Sequence, residues 1–153
     1  MRHEEARHMA GIQWGLDFYT GLPEVDRQHQ WLFALINRLH DAEKLEPETI
    51  DQAFAELQDY VREHFTLEEQ LMAEAEVDPE HQAQHRAAHA GFVARVNTLW
   101  QARTDGSESA AAELLEFLTY WLMQHIRHTD RKMALEIHAR MGTQAPHNMF
   151  EHF

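Results

Sequence analysis

The chain has 153 residues, 44% of them hydrophobic and 25% charged, enough for one domain with a full apolar core and too ordered a composition for a disordered chain. A formal net charge of −13 leaves no basic stripe to neutralise phosphates, which excludes nucleic-acid binding. The lack of cysteine excludes disulfides, iron–sulfur clusters and thiolate sites, and with no long apolar run for a membrane span or signal peptide a cytoplasmic location is expected.

In chain order, residues 1–11 form an N-terminal extension and 12–141 the folded domain, followed by a tail over 142–153. An irregular arm up to Leu22 carries Trp14, Phe18 and Tyr19, which are expected to pack across the fold. Pro23 suits a first helical position and opens a helix to about Leu45, with Val25, His29, Leu32, Ile36 and Leu39 on its apolar stripe. Pro47 opens a second helix to about Val77, striped by Ile50, Phe54, Leu57, Val61, His64, Glu68 and Leu71. Asp78 and Pro79 make an N-cap and first position for a third, running to about Arg103 through His85, His89, Phe92, Val96 and Leu99. After the Thr104–Ser107 turn a fourth helix runs from about Ser109 to Met141, with Gly142 as its cap. Four amphipathic helices with short connections predict an all-α, antiparallel up-down-up-down four-helix bundle.

Polar residues fall where these stripes elsewhere hold Leu, Ile, Val or Phe. The ordered series is His29, His64 with Glu68, His85 with His89, and His125 with Asp130. The pairs His64–Glu68 and His85–His89 are spaced i, i+4, so each lies on one helix face. Burying so many imidazoles and carboxylates without partners costs several kcal/mol each, so something is bound among them. Imidazole and carboxylate suit iron, and two carboxylates can bridge two metals while histidines cap each end.

Taken singly the motifs are weak. A lone histidine on an apolar stripe is more often a hydrogen-bonded core residue, and with 13 histidines and 26 acids chance pairs are common. His81 and His128 are rivals as ligands, although His81 stands at a helix start where water is expected to reach it. His3, His8, His147 and His152 read as solvated tails. Asp130 is five residues after His125, roughly 140° around an α-helix, so the two do not stack on one face. The apolar stripe shifts there, continuing as Ile126, Asp130, Met133 and Ile137.

Over roughly Ile12 to Met133 the chain resembles the hemerythrins, in particular the single-domain bacteriohemerythrins, a family whose bundle architecture is already known from myohemerythrin. The resemblance rests on Gly21–His29, on His64-Phe65-Thr66-Leu67-Glu68-Glu69, on His85 to His89 with Phe92, and on Trp121–Asp130. It implies two non-haem irons. His85, His89 and His125 would cap one and His29 and His64 the other, with Glu68, Asp130 and a solvent-derived oxo or hydroxo group as bridges. It also implies an oxygen pocket lined by Leu32, Phe65, Trp121, Leu122 and Ile126. The implied function is reversible dioxygen binding for carriage, storage or supply, without catalysis. The alternatives are an enzyme reducing peroxide or nitric oxide, and an oxygen or redox sensor acting through a separate partner. Two departures stand out: a longer stretch between Glu69 and His85, and a histidine at 128.

Overall fold

The computed structural model describes residues 14–42 and 47–146, and they contain helices and no strand. The tail histidines and the expected helix end at Leu45 lie outside the described residues. A short 3-10 turn (Leu16–Phe18) leads into α1 (Pro23–Ala42), α2 (Pro47–Glu74) and α3 (Pro79–Thr104). The fourth helix comprises α4 (Ala110–Gln124), a π-helical turn (His125–Asp130) and α5 (Arg131–Met141). Each of the first three helices opens on proline, whose missing N–H is no loss in a first turn. The Asp78 carboxylate caps α3 at the Glu80 amide, and Gly142 ends α5 at φ +70°.

The second helix stops at Glu74, short of the expected Val77. The cause is a Schellman-type ending built without glycine. Glu76 takes φ +56°, its amide bonds Ala73 O, and the Val77 amide bonds Met72 O at 3.0 Å. Val77 and Met72 are both fully buried in one apolar cluster, and this contact offsets the strain at Glu76.

Consecutive helices pack against each other and α1 packs against α4, which closes a four-helix bundle. The histidines lie near the starts of α1 and α3 and near the C-terminal ends of α2 and α4. They meet at one end only because the helices alternate in direction. On one side of that layer lies the main core, with Leu32, Ile36, Phe54, Leu57, Phe92, Leu118 and Ile126 among its members. On the other side a smaller cluster of Met72, Ala75, Val77, Met133 and Ile137 closes the end. The polar layer is therefore held between two apolar ones.

The arm is tied to the start of α1. Asp26 accepts from the Thr20 amide (2.8 Å), the Thr20 hydroxyl (2.7 Å) and the Gly21 amide (3.0 Å). His138 donates from Nε2 to Thr20 O at 2.9 Å and accepts at Nδ1 from the Thr143 hydroxyl. Gly21 has φ +77°, and a Cβ there would lie 2.7 Å from Pro146 Cδ and 2.9 Å from His138 Nε2. Left-handed strain and overlap act together, so Gly21→Ala is expected to cost about 2–4 kcal/mol in chemical denaturation at equal metal content. An unchanged midpoint would mean that this junction carries no stability. As expected, Phe18 is buried and Trp14 packs on it, whereas Tyr19 sits at the surface against the Trp14 edge.

Candidate metal centre

All seven sequence-predicted ligand-type residues come together, each at least 95% buried. Five Nε2 atoms converge on two carboxylates. Glu68 Oε1 lies 3.2 Å from His85, 3.1 Å from His89 and 3.8 Å from His125. Its other oxygen, Oε2, lies 3.3 Å from His29 and 3.0 Å from His64. Asp130 divides in the same way, with Oδ1 at 3.2 Å from His85 and 3.1 Å from His125, and Oδ2 at 3.0 Å from His29. The donors thus sort into two groups that could each hold a cation, Glu68 with His85, His89 and His125, and His29 with His64, Glu68 and Asp130.

Asp130 reaches this layer because of the π turn. In an α-helix a residue five positions on is rotated away, whereas the i→i+5 bonding of a π-helix brings it over the starting residue. The six residues His125–Asp130 take that form, and Asp130 comes to rest beside His125. The expected misalignment of the pair is thereby corrected. The extra residue per turn also accounts for the shifted apolar stripe.

Glu68 accepts hydrogen bonds from His29, His85 and His89, but the remaining carboxylate contacts are close without being hydrogen bonds. Both Asp130 oxygens, His64 Nε2 and His29 Nδ1 are buried without a hydrogen-bond partner, although nitrogens and oxygens lie near 3 Å apart. His89 Nε2 and His125 Nε2 face each other at 3.2 Å, where at most one can donate. Lone pairs aimed at shared points are what cations between them would satisfy, so the residues fit a metal site.

The electrostatics agree. Burial alone would keep His29 and His85 neutral, but Asp130 and Glu68 outweigh it and push both up to about 9. The same carboxylates push His125 up to about 10. His64 is held below 6.5 by burial, despite the pull of Glu68. Glu68 and Asp130 lie well below the usual carboxylate range because the surrounding histidines outweigh burial. Cation-seeking charge is concentrated at this point in the core.

Sequence reading missed the groups behind the rings. Gln28 Oε1 accepts from His64 Nδ1 at 2.7 Å, and Glu69 Oε2 from His89 Nδ1 at 2.9 Å. Such acceptors fix the tautomer that leaves Nε2 free to ligate. His81, expected to be hydrated, is 5% exposed, with Nε2 3.2 Å from His85 Nδ1. It stands behind a site histidine instead of joining the site. His128 is exposed and takes no part.

The apolar residues are placed as follows. Phe65 stacks on His89 (centroids 3.7 Å apart, planes 5° apart) and Trp121 on His125 (4.3 Å, 12°). Leu32, Leu122 and Ile126 are buried in the adjoining core. Trp14 adds a wall against His29 at 6.3 Å, a role its sequence position did not indicate.

The hemerythrin HHE cation-binding domain model matches residues 20–136, which contain all seven ligand-type residues. The chain belongs to the hemerythrin family. It is 36% identical over 123 residues to a bacteriohemerythrin of Pseudomonas aeruginosa, covering 80% of this chain and 78% of that one. A bacteriohemerythrin of Stenotrophomonas maltophilia is 31% identical over 135 residues, 88% of this chain and 86% of the relative. A hemerythrin-like protein of Naegleria gruberi is 34% identical over 121 residues, 79% and 89% of the two chains. Membership of the hemerythrin family implies non-haem iron held by histidine and carboxylate. Among the described residues no helix is long and apolar enough to cross a membrane.

Proposed function

We propose that the chain binds dioxygen reversibly, for carriage, storage or supply, at a pair of non-haem irons. His85, His89 and His125 hold one and His29 and His64 the other, and Glu68, Asp130 and a solvent-derived oxo or hydroxo group bridge them. The observation that carries this reading is the division of both carboxylates, one oxygen toward the three-histidine group and one toward the two-histidine group. With three shared bridges the first group makes six ligands and the second five. The unequal number leaves one position for a diatomic ligand, the mark of a reactive rather than structural centre. Bound there, the iron pair supplies the electrons that dioxygen needs.

The chain's own residues then decide how long the reduced state lasts. Phe65 and Trp121 brace His89 and His125 by stacking, and Leu32, Leu122 and Ile126 keep water and its protons from the site. No catalytic role is assigned. The test is metal content followed by visible spectra of the reduced protein on adding and removing oxygen. Two irons per chain and a colour that forms and vanishes are expected. One metal per chain, or direct passage to the ferric state, would overturn oxygen binding in favour of another metal chemistry or of an oxidase or peroxidase. Replacing Leu32 or Ile126 by threonine is expected to speed autoxidation several-fold with both irons retained, more so as pH falls. Unchanged rates in both variants would withdraw the pocket.

A further inference from the structure

The site histidines are not backed alike. His64 has the neutral amide of Gln28 behind it, His85 has the imidazole of His81, and His29 Nδ1 is buried without a partner. Behind His89 stands a carboxylate, Glu69. Neighbouring residues on an α-helix diverge by roughly 100°, so Glu68 enters the centre while Glu69 reaches the outer edge of the His89 ring. Its second oxygen lies 3.7 Å from Arg86 Nε, one turn before His89 on α3. Both side chains are partly open to water, at 32% for Glu69 and 53% for Arg86.

We propose that Glu69 is a positioning residue whose charge makes the two metal positions unequal, favouring the higher oxidation state on the side of His85, His89 and His125. The proposal rests on the paired-iron reading above. An anionic acceptor draws the Nδ1 proton outward, enriches the ring in electrons and strengthens Nε2 as a donor. Gln28 orients His64 in the same way but adds no charge. The three-histidine side therefore has both the larger donor set and the charged backing. Arg86 tempers that charge from the solvent side, and the partial exposure of the pair keeps the effect moderate. Electron loss begins at the three-histidine position, and the two-histidine position keeps its electrons longer.

The experiment is a reductive titration of the iron-loaded full chain, with iron counted in every sample. Glu69→Gln keeps an acceptor but loses the charge, and is expected to raise the potential of the iron that oxidises first. Arg86→Ala unmasks Glu69 and is expected to lower that potential. Shifts of opposite sign with both irons retained are a signature that hydrogen-bond geometry alone does not produce. Glu69→Ala loses the bond as well and is expected to release iron to a chelator about tenfold faster, with Gln restoring retention. Wild-type protein that fails to hold two irons overturns the underlying reading. A wild-type iron pair whose potential is unmoved in Glu69→Gln, or moves the same way in Arg86→Ala, overturns the role of Glu69 alone.

Discussion

Asp130→Ala is expected to leave the protein without a stable pair of irons. Metal content should fall from two per chain to one or none. Each Asp130 oxygen serves a different histidine group, so alanine removes a donor from both sides and a negative charge from a layer of five imidazoles. Asp130→Asn keeps the volume but not the charge, and is expected to fail as well. Glu68→Ala should be equally severe, since Glu68 lies within 4 Å of all five histidines. The two extra histidines should behave differently. His128→Ala should leave iron untouched, because the side chain is exposed. His81→Ala should keep both irons but let them go faster, because it removes only the group behind His85. Metal analysis after desalting decides between these outcomes. If Asp130→Ala keeps two irons while His128→Ala loses them, the fourth helix supplies a different ligand.

The contrast between Asp130 and the other six ligand-type residues shows what the sequence could reveal. His29, His64, Glu68, His85, His89 and His125 each replace an aliphatic residue on a stripe of ordinary helical period, and that misfit is visible without coordinates. Asp130 obeys no such period. The π turn inserts one residue into the helical count, and its only trace is the change of stripe from His125 to Ile126 and Met133. Periodicity thus registered the shift without explaining it, and Asp130 stood in the ordered series as a carboxylate that did not share the His125 face. Gln28 and Glu69 were silent for another reason: a half-exposed polar residue beside a stripe is what a solvated helix face also shows. His81 was misread because helix starts usually meet water. Here Asp78, Pro79 and Glu80 do meet water, but the His81 side chain turns inward to His85, with Val77 buried just before it.

Metal removal is expected to lower the melting temperature, and to do so most at alkaline pH. In the metal-free protein protons take the place of cations, since burial is outweighed by Asp130 and Glu68 at His29, His85 and His125. These histidines are raised from 6.5 to about 9, 9 and 10, so their contribution is complete below pH 6.5 and is lost as pH rises through 9 to 10. Glu68 and Asp130 are depressed from 4.5 and 3.8, so their contribution is present above those values and is lost as pH falls. The buried His64, held below 6.5, subtracts stability as pH falls beneath that value, so the metal-free protein should be most stable near pH 6.5 and weaken steadily toward pH 10. Iron-loaded protein lacks the alkaline loss, because cations already occupy the nitrogens. Loading at pH 7 must then expel protons, up to three of them from these histidines, and affinity must rise with pH until they have left. Paired melting curves from pH 6 to pH 10 measure the widening gap, and titration in buffers of different ionisation heat counts the protons. A metal-free curve that stays flat over that range, with no proton release on loading, would mean that these imidazoles are neutral before metal arrives. The two carboxylates would then draw in the metal without first gathering protons, and the stability of the empty site would have to come from the apolar layers on either side.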